Sequence, residues 1–221
     1  APTAAFLDEV RRTMTDAVNR HAWDGHHYIH AFDDEGRPVG TMANEEGKFH
    51  LNVNAWALFT GIAKVAGREK EVLAAIAGAD TAVGHLLLHP PYTGKSRAVG
   101  RIADIAAGQF ENGAVYTHGQ SFVIYAKLAL RDADGALRDI KKSFPGGTLP
   151  DISTGPLHQQ TNYAVGPSHP DFGMHVYSNF TGSLAWYRKA LDRMFGFLPD
   201  FDSLVVDPVL PSIWPEVEVV R

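Results

Sequence analysis

The amino-acid sequence predicts a mainly α-helical protein in which helices occur in pairs and the chain turns to β structure near its end. Six segments repeat apolar residues at three- and four-residue steps, which is the spacing of one helix face. Two long stretches, His89–His118 and Phe144–Phe180, are rich in glycine and proline and show no periodicity. Long irregular loops inside a domain usually have a function. Paired helices with such loops at one end are typical of a helical-hairpin array or an (α/α) barrel, and six helices are half of a twelve-helix barrel.

The predicted helices begin and end at recognisable signals. Their bounds are Ala4–His21, Val53–Ala66, Glu69–Leu87, Gln120–Arg131, Gly135–Ser143 and Gly182–Phe195. Asn52 is expected to cap the second helix, because asparagine side chains accept hydrogen bonds from the free N–H groups at helix starts. Gly67 and Gly196 are expected to end the second and the last helix, as glycine often does.

Four short segments with strand-like composition are expected to be β-strands. They are Tyr28–Phe32, Pro38–Met42, Leu204–Pro208 and Val217–Val220. The first two flank the turn residues Asp33–Gly36 and should pair as a hairpin. The change in composition after Pro199 predicts a helical part over residues 1–198 and the start of a β-domain over residues 199–221.

Composition narrows the classes of function. A chain of 221 residues with 45% hydrophobic residues can bury a sizeable core. A net charge of −5 without a basic cluster argues against a nucleic-acid surface. The lack of cysteine excludes disulfides and thiolate chemistry, and no apolar run has membrane-spanning length. Without a targeting signal, the sequence predicts a cytoplasmic protein that acts on no nucleic acid and no membrane.

The strongest candidate site combines two polar segments, Glu111–Gly119 and Asn179–Ser183, each of which precedes a predicted helix. The first N–H groups of a helix lack partners within the helix, and the positive end of the dipole lies there, so anions bind at such places. His118 in one segment, with Thr181 and Gly182 in the other, could hold one small oxyanion. The alternative is that the segments provide two helix caps and a core histidine.

Three other patterns were weighed. A histidine cluster invites a metal site, but strand alternation should send two of its members to opposite faces, so no metal is expected; the cluster is His21, His26, His27 and His30. An acidic set suits either an acid–base pair or turns and solvated surface, and the second interpretation is favoured; the set is Asp33, Asp34, Glu35, Glu45 and Glu46. The tripeptide Asn179–Thr181 matches a glycosylation sequon without any other sign of secretion.

Several segments, taken in order, carry a resemblance to a known family. The segments are Ala22–Tyr28, Ala31–Gly36, Asn44–Lys48 with Leu51, Asn52 and Trp56, Glu111–Gly113 with His118, Gly166–Gly173 with Thr181 and Gly182, and Asp207–Trp214. Together they resemble the inverting glycoside phosphorylases that include cellobiose and chitobiose phosphorylases. The resemblance covers nearly the whole chain, and it places the chain in the C-terminal part of the catalytic domain.

The resemblance implies a reaction in which inorganic phosphate attacks the anomeric carbon of a β-linked sugar. An Asp general acid protonates the leaving oxygen, and the product is an α-sugar 1-phosphate with inverted configuration. His118, Thr181 and Gly182 match the phosphate-binding positions, and Glu111 matches a sugar-contacting carboxylate. Asn162 stands where the family usually has a sugar-site glutamine. Phosphate is then a co-substrate, and no cofactor or metal is implied.

The sequence departs from the family in ways that affect its chemistry. The Asp-Trp-Asn-Asp motif that carries the general acid does not occur, so the acid is expected upstream of Ala1. An expected phosphate-contacting arginine is also missing. Phe110 replaces the usual lysine before the Glu-Asn-Gly block, and His27-Tyr28 replaces a usual Trp-Tyr pair.

These observations predict half of an (α/α)6 barrel of paired helices with long loops, ending in the first strands of a β-domain. We expect a fragment that holds the phosphate site and lacks the general acid. Its expected partners are the N-terminal remainder of the enzyme or a second chain, with a homodimer left open. The alternatives are a helical-barrel glycoside hydrolase, a non-catalytic carbohydrate-binding or assembly subunit, and a purely structural domain.

Overall fold

The computed structural model describes residues 2–94, 99–143, 161–177 and 182–220. These ranges contain one 3-10 helix, Gly100–Asp104, and seven α-helices. The α-helices are α1 (Pro2–His21), α2 (Leu51–Phe59), α3 (Ile62–Val65), α4 (Glu69–Gly78), α5 (Thr117–Ala129), α6 (Ala133–Lys142) and α7 (Ser183–Phe195). Within the same ranges no helix is both long enough and apolar enough to cross a membrane.

The strands are short and form several small antiparallel sheets. They are β1 (Ala31–Phe32), β2 (Pro38–Val39), β3 (Phe49–His50), β4 (Asp80–Thr81), β5 (Gly84–His85), β6 (Leu88–His89), β7 (Val115–Tyr116), β8 (Tyr163–Ala164), β9 (His175–Val176), β10 (Phe197–Pro199) and β11 (Leu204–Val206). Four sheets are pairs, β1–β2, β3–β6, β4–β5 and β10–β11, and the fifth has the order β7–β8–β9. The described part of the chain is therefore mainly helical with a few small sheets.

Helices α2, α5 and α7 lie side by side and run in the same direction. The residue pairs in contact are Asn52–Gly119, Trp56–Phe122 and Phe59–Tyr125 between α2 and α5, and His118–Gly182 and Phe122–Trp186 between α5 and α7. Residue numbers rise together in both helix pairs, so the axes are parallel. All three helices therefore begin at the same end of the molecule.

Two apolar clusters hold the helices together. One packs α2, α4 and α5 around fully buried side chains such as Leu51, Ile76 and Val123. The other joins α5, α6 and α7 through Leu128 and Met194. Burying one side chain of this size contributes about 1.5–3 kcal/mol to stability. Helix α5 contributes side chains to both clusters and is therefore the central helix of the described chain.

Most of the predicted elements are confirmed. Helices α1, α5, α6 and α7 coincide with the predicted segments to within a few residues, and β1 and β2 form the expected hairpin around Asp33–Gly36. The side chain of Asp132 accepts a hydrogen bond of 2.8 Å from the Gly135 N–H, which caps α6. This bond satisfies one of the N–H groups that a helix start leaves without a partner.

Two predicted helices end earlier than expected. The segment Val53–Ala66 is broken at Gly61, whose φ of +81° is left-handed, and its first helix begins at Leu51 with His50 as the N-cap. The prediction that Asn52 caps this helix is therefore wrong. In the segment Glu69–Leu87 the helix ends at Gly78, and β4 and β5 then form a hairpin.

A tight turn explains the hairpin. The Thr81 hydroxyl donates to the Gly84 carbonyl oxygen at 2.6 Å, and Gly84 adopts φ of +122°, which side chains rarely permit. At the other end of the chain, Val217–Val220 form no strand, contrary to the prediction, whereas Leu204–Val206 do.

Candidate functional site

His118 lies in the first turn of α5, and its imidazole packs against Gly182, the residue before α7. A Cβ atom at position 182 would lie 2.8 Å from His118 Nε2, so glycine leaves the space that the ring fills. Tyr116 and Phe122 contact the ring with centroid distances of 5.8 and 4.8 Å. The two segments singled out in the sequence are thus joined in space at this contact.

The imidazole of His118 favours the neutral form and has one nitrogen without a partner in the described part of the chain. Burial lowers its pKa below the usual value for histidine, which favours the neutral form of the ring at pH 7. Its Nε2 atom is buried and has no hydrogen-bond partner among the described residues. Buried polar atoms usually have a partner, so this nitrogen is a candidate to bind a group that enters between α5 and α7.

The start of α7 adds a second set of polar groups. Ser183, its first residue, is only 1% exposed, and its Oγ atom has no partner among the residues described. The first N–H groups of the helix and its positive dipole end lie at the same place. A neutral imidazole, a buried hydroxyl and a helix start together can bind a small oxyanion. Sequence analysis includes Ser183 in the second polar segment but gives it no role, because only its burial distinguishes it from a surface serine.

Glu111 lies at the edge of the same region. Its Oε1 atom accepts a hydrogen bond of 2.9 Å from the hydroxyl of Tyr163 in β8. Burial, and then this hydrogen bond, raise the pKa of Tyr163, so the phenol keeps its proton and remains a donor. The bond orients the carboxylate through one of its two oxygens.

Asn112, next to Glu111, fixes the loop on which that carboxylate stands. It is fully buried, and its side chain accepts from the Tyr92 N–H at 2.7 Å and donates to the carbonyl oxygens of Tyr92 and Ile105 at 2.8 and 2.7 Å. Three hydrogen bonds to backbone groups hold this loop as a rigid element.

Asn162 directly precedes β8 and lies beside the start of α5. Its backbone carbonyl oxygen accepts a hydrogen bond of 2.9 Å from the Thr117 N–H. Its backbone N–H donates to the carbonyl oxygen of Tyr177 at 2.9 Å. The residue therefore stands directly beside the turn that carries His118. Thr181, the remaining predicted site residue, lies outside the described residues.

Comparison with known proteins identifies the family. The catalytic domain of the glycosyl hydrolase 94 superfamily matches residues 3–191. The chain belongs to this superfamily.

Individual relatives agree with that assignment. A 3-O-β-D-glucopyranosyl-β-D-glucuronide phosphorylase of Paenibacillus borealis is 38% identical over 99% of the chain and 29% of its own length. A solabiose phosphorylase of the same organism is 32% identical over the same shares. An N,N'-diacetylchitobiose phosphorylase of Vibrio furnissii is 26% identical over 99% of the chain and 28% of its own length. The chain thus spans less than a third of the length of these relatives.

In this glycosyl hydrolase 94 chain, His27 of the predicted histidine cluster is buried, whereas His21, His26 and His30 are exposed. His27 Nε2 lies 2.9 Å from the Lys48 carbonyl oxygen, and His30 stacks on His50 with ring centroids 4.0 Å apart. The described residues bring one group of side chains to metal-ligand spacing, Asp80, His85 and Asp139. The sequence analysis did not predict this group. Two lysines neutralise its carboxylates, because Lys127 lies 2.6 Å from Asp139 and Lys142 lies 2.6 Å from Asp80.

The acidic set has structural partners in this chain. Asp33 and Glu35 each lie 2.7 Å from the Arg37 guanidinium, and hydrogen bonds from Arg37 lower the pKa of Asp33. Glu46 accepts a hydrogen bond of 3.0 Å from the Thr93 N–H. These contacts indicate that the acidic side chains stabilise a turn and a loop, and they do not favour an acid–base pair.

Proposed function

We propose that this chain supplies the phosphate-binding part of a glycoside phosphorylase site. In the proposed reaction, a phosphate oxygen forms a bond to the anomeric carbon of a β-linked disaccharide or oligosaccharide as the glycosidic C–O bond breaks. The leaving oxygen takes a proton from a carboxylic acid, and the products are an α-sugar 1-phosphate and a shortened sugar.

The contact between His118 and Gly182 carries this proposal. It combines an imidazole nitrogen without a partner among the described residues with the start of α7 and the buried Ser183 hydroxyl. These groups favour a small anion, and they would hold it without the reorganisation that water would need. Thr181 is proposed as a further phosphate ligand next to Gly182. The three relatives described above are named as phosphorylases, which supports phosphate as that anion.

Glu111 and Asn162 are proposed to position the sugar. The oriented carboxylate of Glu111 suits hydroxyl donors of a pyranose ring. Asn162 stands beside the phosphate-binding turn, where it would reach the sugar that phosphate attacks. Holding both reactants in one geometry removes much of the entropic barrier to their reaction.

The general acid is proposed to come from polypeptide beyond these 221 residues, in the same chain or a second one. The Asp-Trp-Asn-Asp motif does not occur in the sequence. We propose that α2, α5 and α7 are inner helices of an (α/α)6 barrel, since the three parallel helices begin at the same end of the molecule. Residues 199–221 then begin a following β-domain. A second copy of the chain as partner and a cytoplasmic location are further proposals.

A phosphorolysis assay tests the proposed function. The chain, alone and mixed with a polypeptide that carries the missing acid motif, is incubated with inorganic phosphate and a panel of β-linked disaccharides. Sugar 1-phosphate that forms only with phosphate, and that is lost in His118→Ala, supports the proposal. Free sugar released at the same rate without phosphate would identify a hydrolase. An affinity for phosphate that is unchanged in His118→Ala would contradict the assignment of the site.

A further inference from the structure

A cluster of charged and polar side chains lies on the side of α5 away from the His118–Gly182 contact. It joins three elements, the β4–β5 hairpin, α5 and α6, and its members are Asp80, His85, Gln120, Lys127, Asp139 and Lys142. Gln120 follows His118 by two residues, and side chains two residues apart point to opposite sides of a helix. The cluster is therefore separate from the proposed phosphate site.

His85 is the buried titratable group of this cluster, and it is 1% exposed. Gln120 Oε1 accepts a hydrogen bond of 2.9 Å from the His85 backbone N–H, which identifies this end of the amide as the acceptor. The same oxygen lies 3.1 Å from His85 Nδ1, so Nδ1 carries a hydrogen and donates it. In the neutral ring, Nε2 therefore has a lone pair and is the atom that can take up a proton.

Asp80 lies within reach of two cationic partners. Lys142 Nζ donates to its two carboxylate oxygens at 2.7 and 2.6 Å. Asp80 and His85 are opposite each other in the β4–β5 register, so their side chains share one face of the hairpin. His85 Nε2 lies 3.8 Å from Asp80 Oδ1, which is too far for a hydrogen bond but close enough for a small movement to form one.

The charges of the cluster balance only while His85 is neutral. The cluster holds two carboxylates and two ammonium groups, in the ion pairs Asp80–Lys142 and Asp139–Lys127. Burial is the main cause that lowers the pKa of His85, and the two carboxylates oppose it only in part. A proton on Nε2 therefore adds an unbalanced positive charge to a buried region, where it is costly.

Lys142 is the cation that can leave most easily. It is the last residue of α6, and its side chain is 23% exposed. Lys127 lies inside α5, and its side chain is 16% exposed against an almost fully buried Asp139. An exposed lysine that leaves an ion pair regains hydration and side-chain freedom, so this exchange costs less than the release of Lys127.

We propose that this cluster is an acid-sensitive switch in which Asp80 exchanges the ammonium group of Lys142 for the protonated imidazole of His85. While the ring is neutral, Lys142 joins the end of α6 to the β4–β5 hairpin. When Nε2 takes up a proton from solvent, His85 donates to Asp80 within the hairpin, and the end of α6 is released. The Nδ1–H bond to Gln120 is kept in both states, so the hairpin stays attached to α5.

The test follows His85 by nitrogen-15 NMR of the 221-residue chain, labelled at histidine, between pH 7 and pH 4.5. At pH 7 the ring should be the Nδ1–H tautomer, and it should take up its proton below the usual histidine value of about 6.5. Lys142→Met leaves Asp80 to His85 alone and should raise the pKa of His85 by about one unit. Asp80→Asn should lower that pKa by a similar amount. Lys141→Met, the same exchange at an exposed neighbour, should leave it unchanged.

Carbon-13 labelling at the lysine Cε atoms gives a second measurement, which needs no variant. The Lys142 resonance should move to the position of an unpaired lysine with the same midpoint as the His85 titration, whereas the Lys127 resonance should stay in place. A Lys142 resonance that does not follow His85 would overturn the switch and leave an ordinary structural ion pair. The same conclusion would follow if the pKa of His85 were equal in wild type and a folded Lys142→Met chain.

Discussion

At the residue scale, the contact between His118 and Gly182 depends on the lack of a side chain at position 182. The ring occupies the volume of a Cβ atom, and its Nε2 is thereby held at the start of α7. Sequence analysis paired these two residues through a family resemblance and through helix-start chemistry. It could not show that they touch, because contact between distant segments depends on how α5 packs on α7.

Gly182→Ala should displace the imidazole and damage the site. The added methyl group would overlap the His118 ring, so we expect a loss of about 1–3 kcal/mol in the free energy of unfolding and weaker phosphate binding. Urea denaturation and phosphate titration measure the two effects. Gly78→Ala is the matched control, since nothing lies within 4 Å of its added Cβ at the end of α4, and it should be neutral or slightly stabilising. Full phosphate affinity in Gly182→Ala would contradict the packing argument.

The buried histidines should make the fold sensitive to acid. Burial is the main cause that lowers the pKa of His50 to about 3 and that of His175 to about 4, against about 6.5 in an unfolded chain. The unfolded chain therefore binds protons first as the pH falls, so stability that is present above pH 6.5 is lost progressively below it. Each group contributes at most about 1.4 kcal/mol per pH unit in that window.

Urea denaturation between pH 7 and pH 4.5 measures this loss. A folded His50→Gln variant should show a shallower decline than wild type, because one of the titrating groups is gone. The exposed exchange His26→Gln should reproduce the wild-type slope. A His50→Gln slope equal to that of wild type would show that His50 titrates alike in the folded and unfolded chains.

At the scale of elements, the helices with strong apolar periodicity are predictable and the interrupted ones are not. Helices α5 and α7 follow from their patterns, whereas the segment Glu69–Leu87 reads as one helix although β4 and β5 replace its second half. The Thr81–Gly84 turn, which needs a left-handed glycine, decides that outcome. The burial of Ser183 and of His50 lies beyond sequence analysis for a similar reason, since both depend on tertiary packing.

The α5–α6 pair is fastened by an ion pair that should be costly to break. Lys127 Nζ lies 2.6 Å from an oxygen of Asp139, whose side chain is 3% exposed. Lys127→Met would leave that carboxylate buried without its cation, at a cost of about 3–5 kcal/mol in the free energy of unfolding. Thermal or urea unfolding measures the loss, and the double variant Lys127→Met/Asp139→Leu should recover much of it. A Lys127→Met chain as stable as wild type would contradict the assignment.

At the scale of the whole molecule, helix α1 exposes more large apolar side chains than a solvent-facing helix usually does. Helix α1 has no buried residue, and Phe6, Leu7 and Met14 are 63%, 58% and 62% exposed along one side. Contiguous exposed apolar surface marks contact with other polypeptide. The division into residues 1–198 and 199–221 and the half-barrel arrangement stay predictions at this scale.

The 221-residue chain should therefore bind a hydrophobic dye or self-associate. Dye fluorescence and sedimentation measure the two outcomes, and Phe6→Lys/Met14→Lys should reduce both by interrupting the apolar side of α1. Asp8→Lys, on an exposed position of the same helix, controls for added charge. A monodisperse monomer that binds no dye would contradict the proposal that this face packs against further polypeptide.

The most direct test of the central claim is a phosphate titration of the chain, followed by phosphorus NMR, for wild type, His118→Ala and the control His26→Ala. We predict saturable binding in wild type and the control, and binding at least about tenfold weaker in His118→Ala because one hydrogen bond to a charged group is lost. Equal affinity in all three proteins would contradict the claim that the α5–α7 contact forms the phosphate site.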